Sequence, residues 1–491
     1  MRAATRLCGW ALTPVHVGDG TTLTPESYRM RPRGNADVLE RFDAAAVIAA
    51  MPEAAMRGYV AALRQGGLRQ AQDMIQKAAD GVIVERIMVS ASARNDIERL
   101  VENPQRTGRV APFVRSGGAP IIPGSSIKGA LRTAWLAAEI TDTDRSVIAG
   151  QARRERVGRT GALSNQLQER VFGHSGRHTE QDPMRDLSVA DIALGDEATM
   201  IDRVQVLNCA QDGPVQAGPE SRMQVHVERL LSLADAGCVA PGLSLTLAVA
   251  TPDHLADRLR RAGRRADGDD RAIPTHSPTI EKLRAASNRH HARLWRMERD
   301  RFYAGTGTDA LMDALLTLFG LPSGDAKALE DALNTREAWL LRIGRYSHFE
   351  AKSVEGLRFG EKRGKNGRDG QRREARFMET GGSRTAAHDD SGRSLPFGWL
   401  LFLPAAAAPA TPPRPAAPAR TPTRPPAPQA PSQSPANLRI TTPLRFAKGD
   451  RVTNDDETGV VKEDVPMHAK RMTVDFDGEI DEVSIEGYRR V

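Results

Sequence analysis

Aromatic residues are scarce in this sequence, 4% of 491 positions, and cysteine is scarcer, with Cys8, Cys209 and Cys238 widely spaced. The first scarcity means that a core has to be built from Leu, Val, Ile and Ala, and it leaves few rings for stacking on bases. The second excludes a disulfide framework and any CxxC redox or metal pair, as expected for a reducing compartment. No apolar run approaches the roughly 18 residues needed to span a bilayer. Arg6 and Gly9 interrupt the first dozen residues, where a secretory segment would need an unbroken apolar stretch. The expected location is the cytoplasm, with no membrane contact. No Cys/His set has zinc spacing, and His290-His291 are adjacent on an expected helix, where neighbours point apart. No metal or cofactor is expected.

What is present is a hydrophobic fraction of 40% and a length sufficient for two or three domains. The charge is uneven. Residues 439–491 hold nine Lys+Arg against twelve Asp+Glu, a net of −3, while the rest of the chain holds 60 against 50, a net of +10. A basic body suggests a polyanionic partner. Residues 404–435 carry twelve prolines and no acid, a composition that forms a semi-rigid tether rather than a core. Beyond it, four short candidate strands and the hairpin signal Asp477-Gly478 predict a small SH3-like or Tudor-like barrel. Its acidity points to a protein partner of unknown identity rather than to nucleic acid.

Ahead of the tether, strands and helices alternate in an α+β pattern. A first strand is expected over Arg6–Val17, with helices over 43–75, 129–140, 280–303 and 308–319. Further strands are expected over Leu243–Ala250 and Leu395–Leu403, the latter entered through Phe397-Gly398-Trp399.

The most informative segment runs Pro120-Ile121-Ile122-Pro123-Gly124-Ser125-Ser126-Ile127-Lys128-Gly129-Ala130-Leu131-Arg132-Thr133. An apolar run meets a Pro-Gly turn, two serines and a helix, so Ser125 or Ser126 can cap it and leave N–H groups at its positive end for a phosphate. Lys128 and Arg132 share a helical face where they could hold a nucleic-acid backbone; a capped helix with two solvated cations is an equal reading. The Walker A spacing is absent. Lys362 to Arg376 holds seven basic residues against two acidic ones, a solvated loop or an arm for RNA phosphates. His16, between the first strand and a Gly-Asp-Gly turn, could serve acid–base chemistry in a ribonuclease. The plainer reading is a histidine that fixes the turn or touches RNA without chemistry. No active-site constellation is discernible, and an enzyme is not expected.

These segments resemble a family. Thr13-Pro14-Val15-His16-Val17-Gly18-Asp19-Gly20 is similar to the opening strand and turn of the RAMP superfamily of type III CRISPR systems, and 122–133 is similar to its most recognisable stretch. The later succession narrows it. Val171-Phe172-Gly173, Asp182-Pro183-Met184-Arg185, Leu187 to Asp191, Leu341 to Arg345, Ala351 to Gly356 and Pro396 to Trp399 together resemble the Csm-type subunit, fifth of its set, that caps the backbone of type III-A effectors. That resemblance implies two RRM-like (ferredoxin-like) RAMP units with helical insertions, over 1–230 and 231–403, ahead of a linker at 404–438 and the barrel at 439–491. It implies a non-catalytic, RNA-binding role at the 3′ part of the guide RNA (crRNA), assistance in crRNA maturation, and antiviral interference. The implied partners are crRNA, the repeated RAMP backbone subunit, other effector subunits and a separate trimming nuclease. The residues matching the family's RNA-facing segments are Gly124, Ser125, Ser126, Lys128 and Arg132, with His16 and the loop of Arg345, Lys352 and Ser353 as further contacts. A RAMP-type endoribonuclease using His16, and a protein adaptor acting through the barrel, are the alternatives.

Overall fold

The computed structural model describes residues 2–33, 36–102, 108–152, 160–172, 182–209, 215–216, 225–235, 238–251, 278–360, 376–388, 393–409 and 411, and beyond them the segments 444–446, 451–453, 458–462, 465–466, 471–476, 479–484 and 489–490. The chain forms two compact units, Met1–Ala417 and Pro418–Val491.

The first unit mixes helices and sheets. Strand β1 (Arg2–Ala11), helix α1 (Gly124–Glu139), strands β2 (Leu187–Val189) and β3 (Leu243–Ala250), helix α2 (Ile280–Phe302), and strands β4 (Trp339–Arg342) and β5 (Trp399–Pro404) build its first sheet and the helices on it. The sheet is antiparallel throughout, in the order β4-β5-β1-β3-β2. The earliest strand therefore lies in the middle, with Leu7 opposite both Leu245 and Pro404.

Periodicity explains which strand sits where. Strand β3 alternates, and its Leu243, Leu245, Leu247 and Val249 all enter the core beneath α1 and the start of α2. Strands β4 and β5 are apolar at nearly every position because both of their faces are covered. Trp339, Leu341, Leu400 and Phe402 join the α1 core. Leu340, Leu401 and Leu403 join a second core with helices α3 (Thr308–Thr317) and α4 (Ala326–Thr335) and the C-terminal part of α2. Helices α2 and α4 start at Thr279 and Asp325, whose side chains accept from the backbone N–H groups of Lys282 and Ala328.

A second sheet runs through Ser394–Pro396, Ser383–His388, Thr199–Cys209, Ile83–Val89, Ala36–Phe42 and Tyr28–Arg33, in that order. Its pairing of Thr199–Cys209 with Ile83–Val89 is parallel. Helices Ala44–Ala50, Glu53–Arg64 and Leu68–Ala78 form the insertion between its strands, where helices were expected over 43–75.

Three expectations are corrected here. The division at 230/231 is not a structural boundary: β1 bonds to β3 and β5, and Thr199–Cys209 to Ser383–His388, so each half completes the other's sheets. The first strand ends at Ala11 instead of Val17, because Leu12 turns its N–H to the Trp399 carbonyl. The strand expected over 395–403 is broken at Gly398, which has φ +101° and donates to the Pro14 carbonyl at 2.7 Å.

In the second unit, strands Glu479–Ser484, Arg471–Phe476, Thr458–Val461, Arg451–Thr453 and Arg489–Arg490 form an antiparallel sheet in that order, and Leu444–Phe446 pairs with Val465–Pro466. Val452, Val461 and Val474 are buried in it. Phe476 lies opposite Glu479, the register a two-residue hairpin requires; Asp477-Gly478 itself, like most of the Pro-rich stretch, lies outside the described residues. Among the described residues no helix is long and apolar enough to cross a membrane.

Candidate nucleic-acid interface

Three segments converge where β1 and β4 end and α1 begins. The turn after β1 brings Val17, Gly18 and Gly20; α1 brings Ser125, Ser126, Gly129 and Thr133; the loop after β4 brings Gly344, Arg345, Ser347 and Lys352. They enclose an open cleft of about 660 Å³. Backbone bonds fix the convergence: Arg345 N–H donates to the His16 carbonyl at 2.9 Å, and Ile343 N–H to the Gly398 carbonyl at 2.9 Å. Gly344, at φ +90°, lets the loop pass so close to His16 that a Cβ there would sit 2.6 Å from the His16 carbonyl oxygen.

The lining carries the cations Arg342, Arg345 and Lys352 and, among the described residues, no carboxylate. Arg345 and Lys352 are exposed, and the Lys352 ammonium donates to the Arg345 carbonyl at 3.4 Å. Arg342 lies beneath them, buried, its guanidinium bonded to Glu298 and to the Phe397 carbonyl. A glycine-rimmed cleft with serine hydroxyls on one wall and exposed cations on the other has the donors to hold a phosphodiester strand.

Of the residues singled out from sequence, the cleft gathers Ser125, Ser126, Arg345 and Lys352. Five lie elsewhere. Lys128 donates to the Leu187 carbonyl at 2.8 Å, and Arg132 pairs with Asp182 at 2.7 Å, bonds Gln168 and lies 5.3 Å over the Phe172 ring. Both belong to the face of α1 that packs on β2 and on helix Thr160–Phe172, so they are spent inside the molecule. The cleft is lined instead by 125, 126, 129 and 133, the neighbouring stripe of the same helix. Ser353 turns its hydroxyl to the Phe349 carbonyl at 2.6 Å. Gly124 packs against β2, where a Cβ would meet the Val189 carbonyl oxygen at 2.2 Å. The expected serine cap is also absent: Asp191 accepts from Gly124 N–H at 2.7 Å, and Ser126 N–H is taken by the Pro123 carbonyl. A carboxylate thus occupies the positive end of the helix, where a phosphate was expected.

His16 is the fifth. Its side chain is 1% exposed, with Nδ1 2.6 Å from the Glu228 carbonyl and the ring stacked on Tyr346 at 5.7 Å and edge-on to Phe113. It props the turn beneath the cleft and does not line it. Burial pushes its pKa below the ordinary value, against the carbonyl bond that raises it. The basic stretch from Lys362 lies outside the described residues up to 375.

His226, His290, His291 and His348 are lowered by burial as well, His290 to about 4. Such rings stay neutral in the folded chain while the unfolded chain takes up protons from pH 6.5 downward. Stability should therefore fall as pH drops below about 6.5, each ring contributing up to ~1.4 kcal/mol per pH unit until its folded pKa is reached. Urea unfolding at pH 7.5 and 5.5 should give the lower midpoint at 5.5, and His290→Gln should narrow the difference by that one ring's share.

Residues 11–231 match the family model described as the RAMP superfamily. At the level of the whole chain, the fold is similar to that of a chain in a structure described as a cryo-EM structure of a Csm-crRNA-target RNA ternary complex of a type III-A CRISPR-Cas system. The TM-score is 0.50 at 16% identity, covering 81% of this chain and 100% of that one. A further likeness is to the crystal structure of T. onnurineus Csm5, with TM-score 0.40 and 18% identity over 69% of this chain and 89% of the other. No curated protein matches.

Proposed function

We propose that this chain is a non-catalytic, RNA-binding RAMP subunit of a type III-A CRISPR effector complex, capping its backbone filament at the 3′ part of the crRNA and assisting crRNA maturation. The observation that carries this reading is the cleft, lined by no carboxylate among the described residues, that sets Ser125 and Ser126 across from Arg345 and Lys352 in a chain that matches the superfamily model over residues 11–231. The order β5-β1-β3-β2 around α1 and α2 supports reading this sheet as an RRM-like unit. Its partners on this reading are crRNA, the repeated RAMP subunit and the other effector subunits, with trimming left to a separate nuclease. The C-terminal unit is read as a small SH3-like barrel on a Pro-rich linker, available to a protein partner.

The test is fluorescence anisotropy of the full chain on a labelled repeat-derived RNA across a salt series. Arg345→Ala with Lys352→Ala should weaken binding by at least about tenfold and reduce the salt slope by about 1.4, roughly 0.7 per lost phosphate contact on a single strand. Lys128→Ala with Arg132→Ala should lower thermal stability and leave RNA affinity within about twofold in the folded fraction. Binding insensitive to the first pair, or cleavage of the RNA by purified chain, would overturn the reading.

A further inference from the structure

A second pocket lies one turn further along α1 from the cleft, in the furrow between α1 and α2. Its walls are small and apolar: Ala134, Ala137 and Ala138 from α1, and Ala286, Leu294 and Met297 from α2. Its volume is about 70 Å³, room for one short side chain and not for a nucleotide. At its base are two polar groups more than nine-tenths buried, His290 at 8% exposure and Arg358 at 6%. Each keeps one polar atom without a hydrogen-bond partner, Nε2 of His290 and Nε of Arg358. Their other atoms are used: His290 bonds the Ala351 backbone, and Arg358 donates to the Glu379 carbonyl at 2.8 Å and the Glu350 carbonyl at 3.4 Å. Of the two unpartnered atoms, the Arg358 Nε–H is a donor left unmet, which is costly when buried and favours an incoming acceptor, while Nε2 of neutral His290 donates only once it is protonated.

The rim repeats that preference. Arg145, Arg289 and Arg293 surround the opening, against the single acid Glu355, which lies 3.8 Å from Arg293. Arg145 is held by the Glu355 backbone carbonyl at 2.7 Å and Arg289 by Glu330 at 3.4 Å. Buried cationic surroundings keep His290 neutral: desolvation first, then Arg358 and Arg293. An incoming anion would relieve that field and let Nε2 take a proton and donate.

We propose that this pocket docks an acidic side chain, Asp or Glu, of a neighbouring protein subunit, with its methylene groups against the alanines and its carboxylate against Arg358 and His290. A protein carboxylate fits better than an RNA phosphate because the walls are apolar, the depth is that of one side chain, and among the described lining residues no Phe, Tyr or Trp is present to stack a base. The proposal rests on the chain working within a multi-subunit assembly.

The experiment uses the full chain co-expressed with the other effector subunits and a guide array. Arg289→Lys and Arg293→Lys, at the exposed rim, keep the charge and add an amine that a water-soluble carbodiimide joins directly to a carboxylate in contact with it. Peptide mapping should then find the new lysines joined to an Asp or Glu of another subunit. Filling the furrow with Ala138→Phe should remove that cross-link and weaken retention of the chain by about tenfold. Cross-links only to Glu355 of the same chain, or photo-cross-links from these positions to guide RNA, would overturn the inference. A chain that purifies alone, with neither subunits nor RNA, would instead overturn the proposed function.

Discussion

Glu298→Ala should destabilise the first unit by about 3–5 kcal/mol, the penalty of leaving a buried charge without its partner. Glu298 lies on α2, fully buried, and accepts from Arg342 Nη2 at 2.6 Å and from Trp399 Nε1 at 2.8 Å. The guanidinium of Arg384 lies 3.8 Å away, stacked at 3.5 Å over Phe302 and itself bonded to Glu350 at 2.8 Å. Two arginines and two glutamates, all 0% exposed at the side chain, therefore neutralise one another where α2, β4, β5 and Ser383–His388 meet. Removing Glu298 strands Arg342 and exposes the indole donor of Trp399 to an apolar void. Chemical denaturation with Trp fluorescence is the readout, since Trp295 and Trp399 lie 4.9 Å apart beside the network. Glu298→Gln, which retains an acceptor for one donor, should fall between wild type and alanine. Equal midpoints for wild type and Glu298→Ala would show that the network contributes nothing.

The second large effect is expected at Gly398→Ala. A Cβ at this position would stand 2.3 Å from the Ile343 carbonyl oxygen, and the backbone sits at φ +101°, where L residues are strained. The clash is between two backbones tied by a 2.9 Å bond from Ile343 N–H to the Gly398 carbonyl, so neither can move aside without parting β4 from β5. Backbone strain and steric conflict together should lower stability by about 3 kcal/mol or more. Because Ile343 leads directly into Gly344 and Arg345, RNA affinity should fall with it. Thermal unfolding and the anisotropy titration on the same preparation check both consequences.

Local pattern made some of this legible in advance and left the rest out. Leu243–Ala250 alternates apolar and polar with period two and is a strand at those limits; Ile280–Phe302 repeats its apolar residues at helical spacing and is a helix within a residue of the expected end. The same reasoning could place Ser125 and Ser126 as candidates because small polar residues beside a Pro-Gly turn are a local signal, whereas Arg345 and Lys352 rest on the family resemblance alone. It failed for Lys128 and Arg132 since a cation on a helix face looks the same whether it meets solvent or Asp182, 50 residues downstream. The Asp191 cap on Gly124 is 67 residues away in sequence, and Glu298 meets Trp399 from 101 residues away. Neither separation leaves a trace in any window. The division into sequential halves failed for the same reason: nothing near residue 230 signals that the strand at 399–404 returns to pair with the strand at 2–11.

That return has a consequence in time. On a ribosome making about 5–20 residues per second, the segment from residue 11 to residue 399 takes roughly 20–80 s to synthesise. During that interval β1 can pair with β3 on one side, once 243–250 has emerged, while its other edge waits without its β5 partner. An open edge of Leu, Cys, Trp and Ala is a site of mispairing between nascent chains. Closure of this sheet is therefore a late, all-at-once event in vectorial folding, and chains terminated before Trp399 should accumulate as aggregates rather than as a folded N-terminal half.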